Sequence, residues 1–175
     1  MGLLRRGHDE DGPGAGSRYQ MRQRLLSIGD DYWIEDDQGR RAFRVNGKAL
    51  RVRKTFVLED PEGNEVAKIQ ERKLSVRDKM AIERGGDSVA TVRKALVGIR
   101  DRFSIDVEDG PEMRAKGNIV DHEYEIERDG QAVATVSKRW FRVRDTYGVE
   151  IAPGEDDALV LAIAVCVDAM SHRGN

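Results

Sequence analysis

Cysteine is nearly absent. Cys166 is the only one in 175 residues, which excludes an internal disulfide and the zinc sites that need several thiolates at short spacing. A reducing cytoplasm is the compartment this implies. An excess of one charge is lacking too: Lys and Arg total 30 against 32 for Asp and Glu, so nothing global favours nucleic acid and none is expected as a partner. Long apolar runs are also missing. The longest, Ala158 to Val167, falls far short of the roughly 20 residues that cross a bilayer, so no transmembrane segment is expected. The opening Met-Gly-Leu-Leu-Arg-Arg turns polar before a secretory apolar region can form, and Arg6 stands where a myristoylation site needs Ser or Thr. The chain carries no Walker loop, dinucleotide fingerprint, nucleophile elbow or His-Glu zinc motif. The expectation is a non-enzymatic domain without metal or cofactor.

What is present is a recurring hairpin. Residues 1–18 are polar and glycine-bearing, and read as a disordered tail ahead of one domain over 19–172. From Tyr19 onward an apolar strand start, an acidic Gly-bearing turn and a second strand repeat. The pattern stands at Trp33 to Gly39, Val57 to Gly63 and Tyr124 to Gly130, with weaker copies at Ile82 to Gly86 and Phe103 to Gly110. Glycine supplies the positive φ that such tight turns need. Period-two alternation sets Phe103, Ile105 and Val107 on one face against Ser104, Asp106 and Glu108 on the other, and Tyr124 and Ile126 against Glu125 and Glu127. One face is wet, and about twelve antiparallel strands are expected.

The C-terminal run changes character. Ala158 to Val167 is unbroken Ala, Leu, Val, Ile and Cys behind Glu155, Asp156 and Asp157, which reads as a helix capped by Asp156 or Asp157 with carboxylates at its positive end. A helix apolar on every side must be buried on every side. In an antiparallel β protein the available place is the inside of a closed barrel, which also removes the sheet edges. The fold class is therefore all-β with one helix: a closed antiparallel barrel of about twelve strands enclosing a hydrophobic C-terminal helix.

Four stretches carry a family resemblance: Phe43-Arg44-Val45-Asn46-Gly47-Lys48, Ala115-Lys116-Gly117-Asn118, Asp121-His122-Glu123-Tyr124 and Asp145-Thr146-Tyr147-Gly148-Val149. Together they resemble the LURP-one-related family, of the tubby C-terminal-like group, with the phospholipid scramblases as distant relatives. The resemblance spans about Tyr19 to His172. It implies a twelve-stranded barrel around a hydrophobic C-terminal helix, and by fold analogy a lipid or membrane-surface role. Neither the tubby basic pair nor a scramblase calcium segment matches residue by residue, so no site is carried over from it.

Two basic stretches are the candidate ligand-binding residues. Arg40 to Lys54 holds seven bases and no acid; among them Arg44, Lys48, Arg51, Arg53 and Lys54 are candidates, with Arg51 and Arg53 sharing a strand face towards a phosphate or an anionic surface. The bland alternative is a solvated exterior balanced by the acidic turns beside it. In Lys138 to Arg144, alternation sets Trp140, Arg142 and Arg144 opposite Phe141 and Val143, an indole between arginines that suits a membrane interface. The alternative is that Trp140 covers barrel wall while the arginine stems pack along it. His122 falls in phase with Tyr124 and Ile126, away from Asp121 and Glu123, and reads as a hydrogen-bonded core histidine rather than a metal ligand. Cys166, inside the apolar helix, reads as a small hydrophobe.

Three readings of function stay open. The first is a cytoplasmic domain, peripheral to the membrane, that binds anionic phospholipid headgroups. The second is a protein-interaction or regulatory scaffold without lipid affinity. The third is scramblase-like lipid movement.

Overall fold

In the computed structural model, residues 16–22, 31–47, 54–72, 79–95, 102–140 and 145–171 are described. Twelve strands precede one helix. They are β1 (Ser17–Arg22), β2 (Tyr32–Asp36), β3 (Arg41–Gly47), β4 (Thr55–Glu59), β5 (Glu65–Glu71), β6 (Lys79–Arg84), β7 (Asp87–Lys94), β8 (Arg102–Val107), β9 (Met113–Asn118), β10 (Glu123–Arg128), β11 (Gln131–Ser137) and β12 (Thr146–Ile151), with α1 spanning Asp157–Ser171. Every strand pairs antiparallel with its chain neighbours, and β1 pairs with β12 from Ser17 opposite Ile151 to Arg22 opposite Thr146, which closes the barrel. The expected fold class holds. The first strand begins at Ser17, two residues inside the stretch read as a tail.

The two rims of the barrel differ. Tight turns join β2–β3, β4–β5, β6–β7, β8–β9 and β10–β11 at one rim, where β12 also turns into α1; the connections β1–β2, β3–β4, β5–β6, β7–β8, β9–β10 and β11–β12 leave from the other. Aspartates shape the tight turns. Asp36 accepts the Gln38 and Arg40 amides at 2.9 and 2.8 Å, and Asp60 accepts the Asn64 amide at 2.8 Å, the side-chain mimicry of a backbone turn that Asp favours. Asp129 and Gly130 are both left-handed, with φ of 52° and 77°, as a two-residue hairpin turn requires.

Burial alternates along strands such as β8 and β10, while β4 and β12 bury four residues in a row, and Ile34, Leu58, Ile69, Ile82, Ile105, Ile126 and Val149 are all fully buried. They surround α1, whose residues from Val160 to Met170 are buried on every side. Asp156 is the N-cap: its side chain accepts the Leu159 amide at 3.1 Å and its carbonyl accepts the Val160 amide at 3.0 Å. The helix start is fastened to the tight-turn rim. Tyr19 donates to Asp157 at 2.6 Å, Arg84 Nη2 to Asp156 at 2.8 Å, and both Arg128 amines to Glu155 at 2.8 and 2.9 Å.

The helix runs past the apolar stretch and carries a buried carboxyl, Asp168, at its far end. Tyr147 donates its hydroxyl to Asp168, and His122 Nε2 lies 3.1 Å from the other carboxyl oxygen. The His122 ring stacks on Tyr147 with centroids 4.4 Å apart. Burial first, and the Asp168 charge second, push the hydroxyl pKa values of Tyr32, Tyr124 and Tyr147 up. All three tyrosines therefore stay protonated around one carboxyl.

Candidate anionic-ligand surface

Of the eight candidate residues, Arg44, Lys54 and Trp140 lie among the described residues; Lys48, Arg51, Arg53, Arg142 and Arg144 lie outside them. Arg44 faces outward on β3 and is held between two carboxylates, ion-paired with Asp31 and 3.8 Å from Glu59 of β4. Its charge is balanced by these two carboxylates. Lys54 directly precedes β4, with its ammonium 5.8 Å from the centre of the Phe56 ring.

In the second stretch, the described residues 138–140 do not continue strand β11. β11 ends at Ser137, and 138–140 turn away. The turn is pinned by Glu123, whose carboxylate accepts the Ser137 hydroxyl at 2.9 Å and the Lys138 amide at 3.1 Å. Trp140 is half-buried, and the cation over its ring is Arg18 of β1, 5.2 Å from the centroid; Arg18 is itself paired with Glu150, its Nε 3.2 Å away. The indole thus covers the barrel wall at β1, while Arg139 beside it stays 84 % exposed.

His122 is buried, as expected, for a different reason. It precedes β10 in a turn with φ of 53°, so strand phase does not set its direction. Left-handed backbone aims the imidazole into the barrel at Asp168, while Asp121 stays outside with Asn118, 2.6 Å from its amide. Among the described residues no group of three His, Cys, Asp or Glu side chains converges as a metal site. Burial raises the Cys166 thiol pKa, which leaves it an inert hydrophobe.

Barrel closure relates the two basic stretches. In the closed order β11-β12-β1-β2-β3-β4, the β11–β12 and β3–β4 connections flank the β1–β2 connection on one rim. The chain between Gly47 and Thr55 carries Lys48, Arg51, Arg53 and Lys54, and that between Ser137 and Thr146 carries Lys138, Arg139, Arg142 and Arg144. Opposite, the tight turns carry Asp60 and Glu62, Glu108 and Asp109, and Glu155 and Asp156.

A family model described as LURP-one-related matches residues 17–168. The chain belongs to the LURP-one-related family. The match starts with β1 and ends at Asp168, so it takes in the whole barrel and nearly all of the enclosed helix. A crystal structure of an Arabidopsis thaliana protein superposes on this LURP-one-related domain with a TM-score of 0.67 at 19% identity, covering 91% of this chain and 94% of that one. At that identity the likeness shows the fold. No curated protein matches the chain in sequence.

Proposed function

We propose that this LURP-one-related domain is a non-enzymatic binding module that engages anionic phospholipid surfaces from the cytoplasmic side, through the rim where β11–β12, β1–β2 and β3–β4 connect. The observation that carries this reading is the closure order, which brings the ends of both basic connections to one sector of one rim. Each basic residue near an anionic membrane adds about 1 kcal/mol, and the attraction fades over a Debye length. Lys48, Arg51, Arg53, Lys54, Arg142 and Arg144 are the proposed contacts. Arg44 and Trp140, already engaged by Asp31 and Arg18, support the rim. No described helix is long and apolar enough to cross a membrane.

The enclosed helix argues against scramblase-like movement. Lipid passage through the barrel needs α1 displaced, and exposing its buried Val, Leu and Ile side chains costs about 1.5 to 3 kcal/mol each, a large part of a domain's stability.

The test is co-sedimentation with vesicles of phosphatidylcholine alone and with added phosphatidylserine, at low and moderate salt. Binding that needs phosphatidylserine and weakens with salt supports the module. Absence of binding in every condition overturns it in favour of a protein partner.

A further inference from the structure

A second cationic site lies on the barrel wall, built wholly from described strands and away from the rim sector above. On β8, Arg102, Ser104 and Asp106 face outward between the buried Phe103 and Ile105. Register sets Arg93 of β7 opposite Ser104 on one side and Arg114 of β9 opposite it on the other, and sets Lys116 directly opposite Arg102. Ser104, a short side chain, is therefore ringed by four long cations.

Like charges directly opposed across a strand pair destabilise a sheet, so this arrangement calls for anions. The protein supplies three, all on the tight-turn side. Arg93 pairs with Asp106 at 2.7 Å, Arg114 with Glu112 at 3.0 Å and Lys116 with Glu127 at 2.8 Å. Arg102, on the opposite side, faces Lys116 and has no carboxylate partner among the described residues. A groove of about 830 Å³ opens over Arg102, Ser104, Arg114 and Lys116, with Glu112, Glu127 and Asp129 all on its tight-turn side, away from Arg102.

We infer that this groove binds a phosphomonoester, seated over Ser104 between Arg102 and Lys116. A planar guanidinium grips two phosphate oxygens at once, an ammonium a third, and the serine hydroxyl donates from the floor. The phosphate dianion supplies the counter-charge that Arg102 has no carboxylate to provide, and it offsets the repulsion across the β8–β9 pair. The same chemistry is offered by a soluble phosphomonoester and by the headgroup of phosphatidic acid.

The test follows backbone amide shifts of the full chain during titration with glycerol 3-phosphate and, separately, with phosphatidic acid vesicles. Saturable shifts in β8 and β9 are expected with at least one of them. Response to glycerol 3-phosphate assigns a soluble ligand; response to the vesicles alone assigns the lipid. Arg102→Gln should weaken binding about tenfold or more, the loss of one charge-assisted anchor. Ser104→Asp should abolish binding and raise Tm, because the new carboxylate takes the ligand's place among the cations. Charge reversal of Arg51 and Arg53 should leave this site intact. Lack of shifts with both ligands, unchanged affinity in Arg102→Gln, or loss of the β8–β9 response only in the Arg51/Arg53 variant overturns the proposal without bearing on phosphatidylserine binding.

Discussion

The two ends of α1 are both anchored by aspartate, in opposite ways. At the tight-turn rim, Asp156 and Asp157 are partly exposed and tied to Arg84 and Tyr19. At the far end Asp168 is buried with Tyr147 and His122, inside a ring of tyrosines. Water can replace a lost partner at the first end but cannot reach the second. The same residue type therefore serves as a weak fastener in one place and a strong determinant of helix register in the other.

The largest expected effect comes from putting a carboxylate into the barrel without a partner. Ile163 is fully buried, so Ile163→Asp should unfold or aggregate the domain, seen as loss of the cooperative thermal transition. A folded, soluble Ile163→Asp protein would contradict the enclosed helix.

Next in size is removal of the carboxylate that does have partners. Asp168→Ala leaves the Tyr147 hydroxyl and the His122 imidazole facing a cavity, and should cost about 3 to 5 kcal/mol in urea unfolding. Tyr147→Phe removes a hydrogen bond to Asp168 and should cost about 1 to 3 kcal/mol. The buried hydroxyls of Tyr32 and Tyr124 have no hydrogen-bond partner among the described residues, so Tyr32→Phe and Tyr124→Phe should be near neutral or stabilising. Equal costs at all three positions would dissolve the distinction.

The smallest effects belong to the exposed end. Arg84→Ala should cost up to about 1 kcal/mol and less at high salt. The Arg84 guanidinium holds the Asp156 carboxyl below its usual pKa, against an opposing effect of burial. A lowered folded-state pKa stabilises fully above the ordinary value of 3.8 and is lost as pH falls through the folded value. Wild type and Arg84→Ala should therefore differ at neutral pH and converge in acid. A gap that persists below that range would assign the effect to packing.

Much of this fold was legible in the sequence. Gly39, Gly63, Gly86 and Gly130 fall in turns with positive φ, and inward alternation at Phe103 and Ile105 or Tyr124 and Ile126 matches burial. A cap at Asp156 or Asp157 and the enclosed helix were legible as well, and the structure selects Asp156. Asp168 was hidden because a charge directly after Val167 looks like the point where a helix leaves the core; only the three-dimensional proximity of His122 and Tyr147 gives it a partner. The quartet around Ser104 was hidden for another reason. Each strand's outward residues can be read from alternation, but which of them oppose each other depends on register. Bulges between Ile34 and Glu35, Leu58 and Glu59, Ile82 and Glu83, and Ile126 and Glu127 shift that register around the barrel. The turn at 138–140 is not legible from alternation, because Glu123 gathers the chain there through Ser137 and Lys138 from another strand.

Phosphatidylserine binding belongs to the rim where β11–β12, β1–β2 and β3–β4 connect, and does not need the Arg102 groove on the barrel wall. The most direct measurement is co-sedimentation with phosphatidylserine vesicles of three proteins: wild type, a variant with Arg51 and Arg53 changed to Glu, and Arg102→Gln. Wild type and Arg102→Gln should bind in a salt-sensitive way and the rim variant should not, with Tm unchanged in all three. Binding retained by a folded rim variant would contradict it.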